Sequence, residues 1–260
     1  MIREPLISIV TASLNSGATI RNTLESVRTQ RKVNLEHIVC DGGSTDGTLA
    51  VLEEFKSSYN LRWISKPDNG IADALNRGLS HSRGKYVIVI QADDYLTSPT
   101  VLFQVKDVLK SERYDICSFP VVFKHPELGA RLFLPKKQLW WNHFKAIFPH
   151  QGCFVKKTLY KEVGGYRDAF SLAVDYDFFY RALQFKPKVL FGSEAVAVMG
   201  GSGISSSENN LAQRLAEEKL VQKMNENKLI WKIMQYIFRS LYTPYKLRFS
   251  RKFRVAYFRG

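Results

Sequence analysis

Two adjacent carboxylates, Asp93 and Asp94, follow directly on the apolar run Tyr86–Ile90. Neighbouring acids repel, and that cost is tolerated where a divalent cation sits between them. Hard oxygen ligands suit Mg2+ or Mn2+, which normally share their coordination with substrate phosphates. Another acid, Asp41, opens the run Asp41-Gly-Gly-Ser-Thr-Asp-Gly-Thr48. Its carboxylate is able to accept from the N–H of a base ring, and Gly42 and Gly43 let backbone approach a flat ligand. Asp175 and Asp177 lie two residues apart in a helical stretch, about 200° apart around the axis, so they cannot both face one site. Arg181, one turn after Asp177, predicts an ordinary surface salt bridge for that acid. That leaves Asp175 as a candidate general base for a weak nucleophile such as a hydroxyl. On spacing alone, an N-terminal acid stabilised by the helix dipole is an equal account of it.

These residues need a scaffold that brings them together. Leu6–Val10, Leu35–Cys40, Leu61–Ser65, Tyr86–Ile90 and Tyr114–Phe119 are short β-branched or aromatic runs. The segments between them repeat apolar residues at helical spacing, as in Ile20, Leu24 and Val27 or Ile71, Leu75 and Leu79. Strand–helix alternation with short connections predicts an α/β fold with a mainly parallel sheet flanked by helices. Ligands of such sheets lie beyond the carboxyl ends of the strands. Those ends carry Thr11 and Ser13, the Asp41 block, Lys66-Pro-Asp-Asn-Gly70 and Gln91-Ala-Asp-Asp94. Any one loop is equally well explained by turn and cap chemistry; a parallel sheet brings all four to one edge. Beyond Pro120, Val121–Leu134 suggests a hairpin, Pro135–Pro149 an aromatic loop, Gly152–Val155 a strand and Lys156–Val163 a helix ended by Gly164-Gly165. Leu172–Gln184 is helical in pattern, Lys188–Phe191 and Ala195–Met199 strand-like, Gly200–Ser207 a Gly/Ser loop, and the chain from Glu208 helical.

The chain has 260 residues, 45% hydrophobic and 24% charged, which excludes a disordered or collagen-like protein. Its +14 charge is uneven: residues 228–260 hold nine Lys or Arg and no acid, leaving +5 for the rest. Cys40, Cys117 and Cys153 are scattered and unpaired in sequence, which points to a reducing compartment and away from a structural zinc site. With no charged-then-apolar leader after Met1 and no apolar stretch long enough to span a bilayer, a cytoplasmic location is expected.

Ile7–Asn15, the Asp41–Thr48 block, Pro67-Asp-Asn-Gly-Ile71 with Ala74-Leu-Asn-Arg-Gly78, and Gln91-Ala-Asp-Asp94 together resemble the family 2 glycosyltransferases of the GT-A fold. His150-Gln151, Tyr160-Lys-Glu-Val-Gly-Gly-Tyr166, Asp175-Tyr-Asp-Phe-Phe-Tyr-Arg181 and Gly200-Gly-Ser-Gly-Ile-Ser205 resemble later motifs of bacterial exopolysaccharide, O-antigen and colanic-acid transferases. The resemblance covers about residues 6–207. It implies a Rossmann-like nucleotide-binding half (1–119) and an acceptor half (120–207), to which the helical pattern and the charge add a helix (208–227), closing a catalytic domain of residues 1–227, and a basic tail (228–260). It implies an inverting transfer from a nucleotide-sugar donor, UDP or GDP, to a glycan or polyprenyl-linked acceptor in cell-surface polysaccharide synthesis. By position, Thr11, Ser13, Asp41, Gly42, Gly43, Asp68, Asn69, Asp73 and Asp93 would hold the donor nucleotide. Asp93 and Asp94 would hold Mn2+ or Mg2+, and Asp175 would be the base. Gln91 stands where the family usually has the first acid of Asp-x-Asp, and a carboxamide is a poor metal ligand. The late loop lacks a histidine that some relatives use as a further ligand.

His150, Gln151, Trp140 and Trp141 are candidate acceptor-side residues, with structural roles as the alternative for the histidine and core or membrane-facing packing for the tryptophans. In the tail, Ile230, Ile233, Met234, Ile237, Phe238, Leu241 and Tyr242 form one stripe, and Pro244 is expected to end or kink the helix. Two accounts fit: a helix packed back on the domain with a solvated basic side, or one lying on the anionic inner face of the cytoplasmic membrane. A nucleic-acid partner is the competing class, because basic and aromatic residues interleave there. It is not expected, since no recognition motif accompanies them and the strand-end acids repel phosphate. A catalytically impaired nucleotide-sugar-binding relative is the other alternative, given Gln91.

Overall fold

β-Branched runs that are apolar on every residue have to be covered on both sides, and the chain covers them with helices laid over a sheet. The computed structural model describes residues 4–125, 127–200 and 209–259, with side chains to residue 249. In chain order the first half forms β1 (Ile7–Ser13), α1 (Ile20–Arg28), β2 (Leu35–Asp41), α2 (Thr48–Phe55), β3 (Leu61–Ser65), α3 (Ile71–His81), β4 (Tyr86–Val89), β5 (Tyr95–Leu96), α4 (Val101–Lys110) and β6 (Ile116–Ser118). The second half adds β7 (Val121–His125), β8 (Gly129–Phe133), β9 (Cys153–Lys156), α5 (Lys157–Val163), α6 (Val174–Gln184), β10 (Val189–Phe191), β11 (Ala197–Gly200), α7 (Leu211–Asn225) and α8 (Leu229–Arg259). One-turn 3-10 segments stand at Leu139–His143 and His150–Gly152.

The main sheet has seven strands in the order β10-β6-β9-β4-β1-β2-β3. The block β4-β1-β2-β3 is parallel, with Val10 beside Ile38 and Val89, as the alternation predicts. β9 enters antiparallel between β4 and β6. A second sheet, β5-β11-β7-β8, contains the expected hairpin as β7 and β8. The core lies on both faces of the main sheet: Val10, Val87, Val155, Phe178 and Phe179 on one side, Ile9, Ile88, Val105 and Phe154 on the other. Helix α3 sits very close to β1, because a Cβ on Gly78 would come within 2.3 Å of Val10 Cγ1.

Three expectations need correction. Asp177 and Arg181 form no surface pair: both are buried, and the carbonyls of Val163 and Gly165 and the side chain of Asn225 close over them. Helix α8 does not end at Pro244 but runs through it. Proline removes one backbone donor, and both Pro244 and Ser240, whose carbonyl loses that bond, are exposed, where water substitutes. The tail helix packs back on the domain with Lys232 and Arg248 exposed, but it does so through Gln235, Arg239, Trp231 and Phe238 and not through its aliphatic stripe. Of the Gly/Ser loop, Gly200 ends β11 and the remainder lies outside the described residues.

Candidate active site

The parallel strands β1 to β4 end at one sheet edge. Because β9 runs antiparallel to β4, it begins at that same edge, so the turn just before it, His150–Gly152, arrives beside the residues that follow β4. Gly152 makes this fit possible: a Cβ there would come within 2.2 Å of the Phe119 carbonyl. The first turn of α6 closes the group from a third side. Asp93, Asp94, His150, Gln151 and Asp175 are thereby brought together from three parts of the chain.

Within the cluster, Asp94 is buried; its Oδ1 accepts from the Gly200 N–H (2.9 Å), while Oδ2 has no hydrogen-bond partner among the described residues. Burial and then the Asp93 charge push its carboxyl up to about 6, against the pull of His150. Asp93 is raised as well, chiefly by burial. His150 donates from Nδ1 to Asp175 Oδ2 (3.3 Å), and its Nε2 is buried without a partner among the described residues. Burial works against the charged imidazole, but Asp175 and the two aspartates outweigh it, so His150 is raised. Burial acts to raise Asp175 also, yet His150 and the Tyr176 N–H (2.8 Å) hold it below the usual carboxylate range. Asp175 is therefore ionised at neutral pH, with its side chain a third exposed.

Helix α6 is held in place from a distance. Glu217 of α7 accepts from the backbone N–H groups of Ser171, Leu172 and Ala173 at 2.7–3.0 Å. Ala173 is the N-cap of α6 and Ser171 and Leu172 lead into it, so this one carboxylate fixes the entry of the chain into the helix. Spacing rules did not mark Glu217, because a cap supplied more than forty residues away leaves no local signature.

The donor-side loops are differently arranged. Thr11 is fully buried; its hydroxyl donates to the Ile90 carbonyl (2.6 Å) and accepts from His37 Nε2 (2.9 Å). Burial drives His37 down to about 3, so the ring is neutral. Asp41 is also fully buried: it accepts from the N–H groups of Gly43 and Ser44 and from the hydroxyls of Ser44 and Ser65. Ser13, paired with Asp41 in register, keeps a buried hydroxyl without a partner among the described residues. Asp68 leans across Gly42: a Cβ on that glycine would come within 2.6 Å of Asp68 Oδ2. Asp68 Oδ1 accepts from the Gly70 N–H, and Gly70 sits at φ +113, in the region that favours glycine. Asp73 accepts from the Asn69 N–H and pairs with Arg77, both through Oδ2, which braces the loop. Asn76 ties this half to the other, exchanging two hydrogen bonds with the Tyr166 backbone (both 2.8 Å).

Trp140 is exposed, and Trp141 is partly buried against the core cluster that includes Val174 and Tyr176 of α6. The ring contacts of the two tryptophans are with each other, with Phe144 and, for Trp141, with Phe238 of α8. Among the described residues, no group of three or more His, Cys, Asp or Glu is placed to hold a metal unaided. Asp93 and Asp94 still suit a cation that shares its coordination with a diphosphate: they are adjacent carboxylates, mutually repelling, with one buried oxygen left open.

A parallel four-strand block with open carboxylates at its edge, an antiparallel strand returning beside it and a small second sheet define a GT-A glycosyltransferase. The chain belongs to glycosyl transferase family 2, whose model matches residues 8–164. It is 32% identical over 188 residues to an uncharacterized glycosyltransferase of Mycobacterium tuberculosis, covering 70% of each chain. The fold matches the mannosyltransferase PcManGT of Pyrobaculum calidifontis, solved with GDP-Man and Mn2+, at a TM-score of 0.69 and 17% identity, covering 95% of this chain and 73% of that one. It also matches S. aureus TarS 1-349 with UDP-GlcNAc at a TM-score of 0.66 and 16% identity, covering 94% and 72%. In another crystal structure of TarS 1-349 the match spans 64% of that chain.

Proposed function

We propose that this protein transfers a sugar, with inversion at the anomeric carbon, from a UDP- or GDP-sugar to a hydroxyl of a glycan or polyprenyl-linked acceptor in cell-surface polysaccharide synthesis. The observation that carries this reading is the convergence of Asp175 and His150 with the Asp93–Asp94 pair at the sheet edge. Asp175 takes the proton of the acceptor hydroxyl as its oxygen bonds to the anomeric carbon and the bond from that carbon to the diphosphate oxygen breaks, releasing the nucleoside diphosphate. Each Asp175 oxygen accepts one hydrogen bond, which fixes the carboxylate and leaves a second lone pair for that proton. His150 is a positioning residue: it orients Asp175 and keeps it ionised. Asp93 and Asp94 would hold Mn2+ or Mg2+, which when bound neutralises charge on the leaving diphosphate.

On the donor side, Asp68 and Asn69 in the loop beyond β3, with Gly42 and Gly43, border the space for the nucleoside, and Ser13 offers a free hydroxyl. Asp41, Thr11 and Asp73 build that wall from behind. A lipid-linked acceptor places the enzyme on the inner face of the cytoplasmic membrane. The donor pair UDP and GDP is supported by the nucleotides named for the two fold neighbours. The test is a screen of uridine and guanosine sugars with the purified chain and Mn2+, reading nucleoside diphosphate release. Release from one donor class, abolished by chelator, is expected. Donor binding by calorimetry without release from any donor would favour the impaired relative instead.

A further inference from the structure

Helix α8 is packed inside out. Its ridge toward the domain carries Gln235 and Arg239, both buried. Gln235 donates to the His143 carbonyl (2.9 Å) and the Tyr180 hydroxyl (3.0 Å). Arg239 reaches Gln222, Glu218 and the Phe144 carbonyl at 2.8–3.2 Å. Trp231 stacks on His143 and Phe238 packs on Phe144 along the same ridge. The opposite ridge is aliphatic and open to water: Leu229, Ile230, Ile233, Met234, Ile237 and Leu241, with Leu229 and Leu241 each 71% exposed. At 100° per residue these six cover an arc of about 140°. Helix α7, packed against α8, leaves Leu220 and Met224 exposed as well. A helix whose task was to cover the domain would turn this arc inward.

The cations complete the picture. Lys219 and Lys223 on α7, Lys228 in the link between the helices, and Lys232 and Arg248 on α8 are exposed, and residues 228–260 contain no acid. No helix among the described residues is long and apolar enough to cross a bilayer. We infer that the outward ridge of α8 is a docking face for an anionic lipid bilayer, on which the helix lies in the plane of the surface, aliphatic side chains among the acyl chains and lysines at the lipid phosphates. Residues 228–260 are cationic without a single acid, and Lys219 and Lys223 stand beside Leu220 and Met224 on α7, so this end of the molecule carries one sign of charge that a second copy would repel and an anionic bilayer complements. The buried Gln235 and Arg239 fix the rotation of the helix, so the face is presented by the folded protein rather than found by a loose tail. This deepens the membrane assignment above and rests on it for the acceptor alone.

The experiment is flotation of the full chain with phosphatidylglycerol/phosphatidylethanolamine vesicles and with phosphatidylcholine vesicles, against the triple variant Ile233→Ser, Ile237→Ser, Leu241→Ser. Binding to the anionic vesicles, weakened by high salt and at least about tenfold weaker in the triple variant, is expected. Unaltered helix content by circular dichroism shows that the variant is folded. Absence of wild-type binding, equal binding of wild type and variant, or equal binding to both vesicle types overturns the inference. So does a wild-type dimer in the ultracentrifuge that the variant converts to monomer. Nucleoside diphosphate release measured without vesicles separates the two readings: an inert protein that floats sinks only the enzymatic one, and an active protein that does not float sinks only the docking face.

Discussion

Asp41 and Asp94 are buried carboxylates at the ends of two strands in one sheet, separated by β1 alone, and their surroundings are opposite. Asp41 accepts four hydrogen bonds from its own loop and from Ser65. Asp94 accepts one from the Gly200 N–H, has a second carboxylate next to it, and keeps one oxygen with no partner among the described residues. The first arrangement stabilises a fold. The second is tolerable only where something else arrives to complete it, since an unpaired buried charge is expensive. The same contrast recurs on α6, where Asp177 is enclosed by Arg181, Arg167 and Asn225 and Asp175 is held by His150 alone among side chains.

The sharpest way to break this contrast is to neutralise one acid of each kind. Asp175→Asn removes the proton acceptor and should lower the turnover number by about 10²–10⁴-fold with donor affinity within about twofold, measured by product release and calorimetry. Asp177→Ala should do the reverse. It strands Arg181 in the interior and should cost about 3–5 kcal/mol in urea unfolding. Asp41→Asn should destabilise by about 1–3 kcal/mol, since four donors lose a charged acceptor. Asp94→Asn should cost no stability in chelator while abolishing the response to added Mn2+; a comparable loss of stability in both variants would erase the distinction.

Two smaller effects follow the titrations. Asp94, raised to about 6, and His150, raised above its ordinary value, both bind protons more tightly in the folded state. Their contributions are complete below their unfolded values, near 4 and 6.5, and are lost as pH rises through the higher folded ones. His37, held neutral by burial, acts in the opposite direction and loses stability as pH falls below 6.5, so the comparison is made against a variant: in metal-free protein the melting temperature of wild type relative to Asp94→Asn should be higher at pH 5 than at pH 7.5. His150→Gln removes the imidazole that holds Asp175 down, so the acid limb of kcat/KM should move to higher pH. An unmoved limb would reduce His150 to a packing residue.

Much of this was legible in the residues. Alternating periods located the strands, and 100° per residue separated Asp175 from Asp177 correctly. Spacing could not tell that Asp177 was enclosed, because Val163, Gly165 and Asn225 close on it from α5 and α7. Nor did loop composition distinguish an acid that faces a ligand from one that folds the loop, as Asp41 and Thr11 show: both need the register with Ser65 and Ile90 to be read. The Gly152–Val155 strand was visible but not its direction, and that direction is what delivers His150 to Asp175. In α8 the stripe was visible and its orientation was not. An apolar ridge ordinarily turns inward, and only the partners waiting on α6 and α7 make Gln235 and Arg239 the better side to bury.

The place of β9 in the sheet sets a constraint on synthesis. Both strands that pair with β6, β9 and β10, come later in the chain than β6 itself. While the first 119 residues emerge from a ribosome, β4 and β6 wait with unpaired edges, a state open to wrong partners. The edge of β4 is covered only after Lys156 has been made, and β6 gains its second neighbour only with Phe191. The first 119 residues are thus a region of the finished molecule and no independent folding unit: a fragment ending at residue 119 should aggregate, whereas one that extends past Phe191 should not.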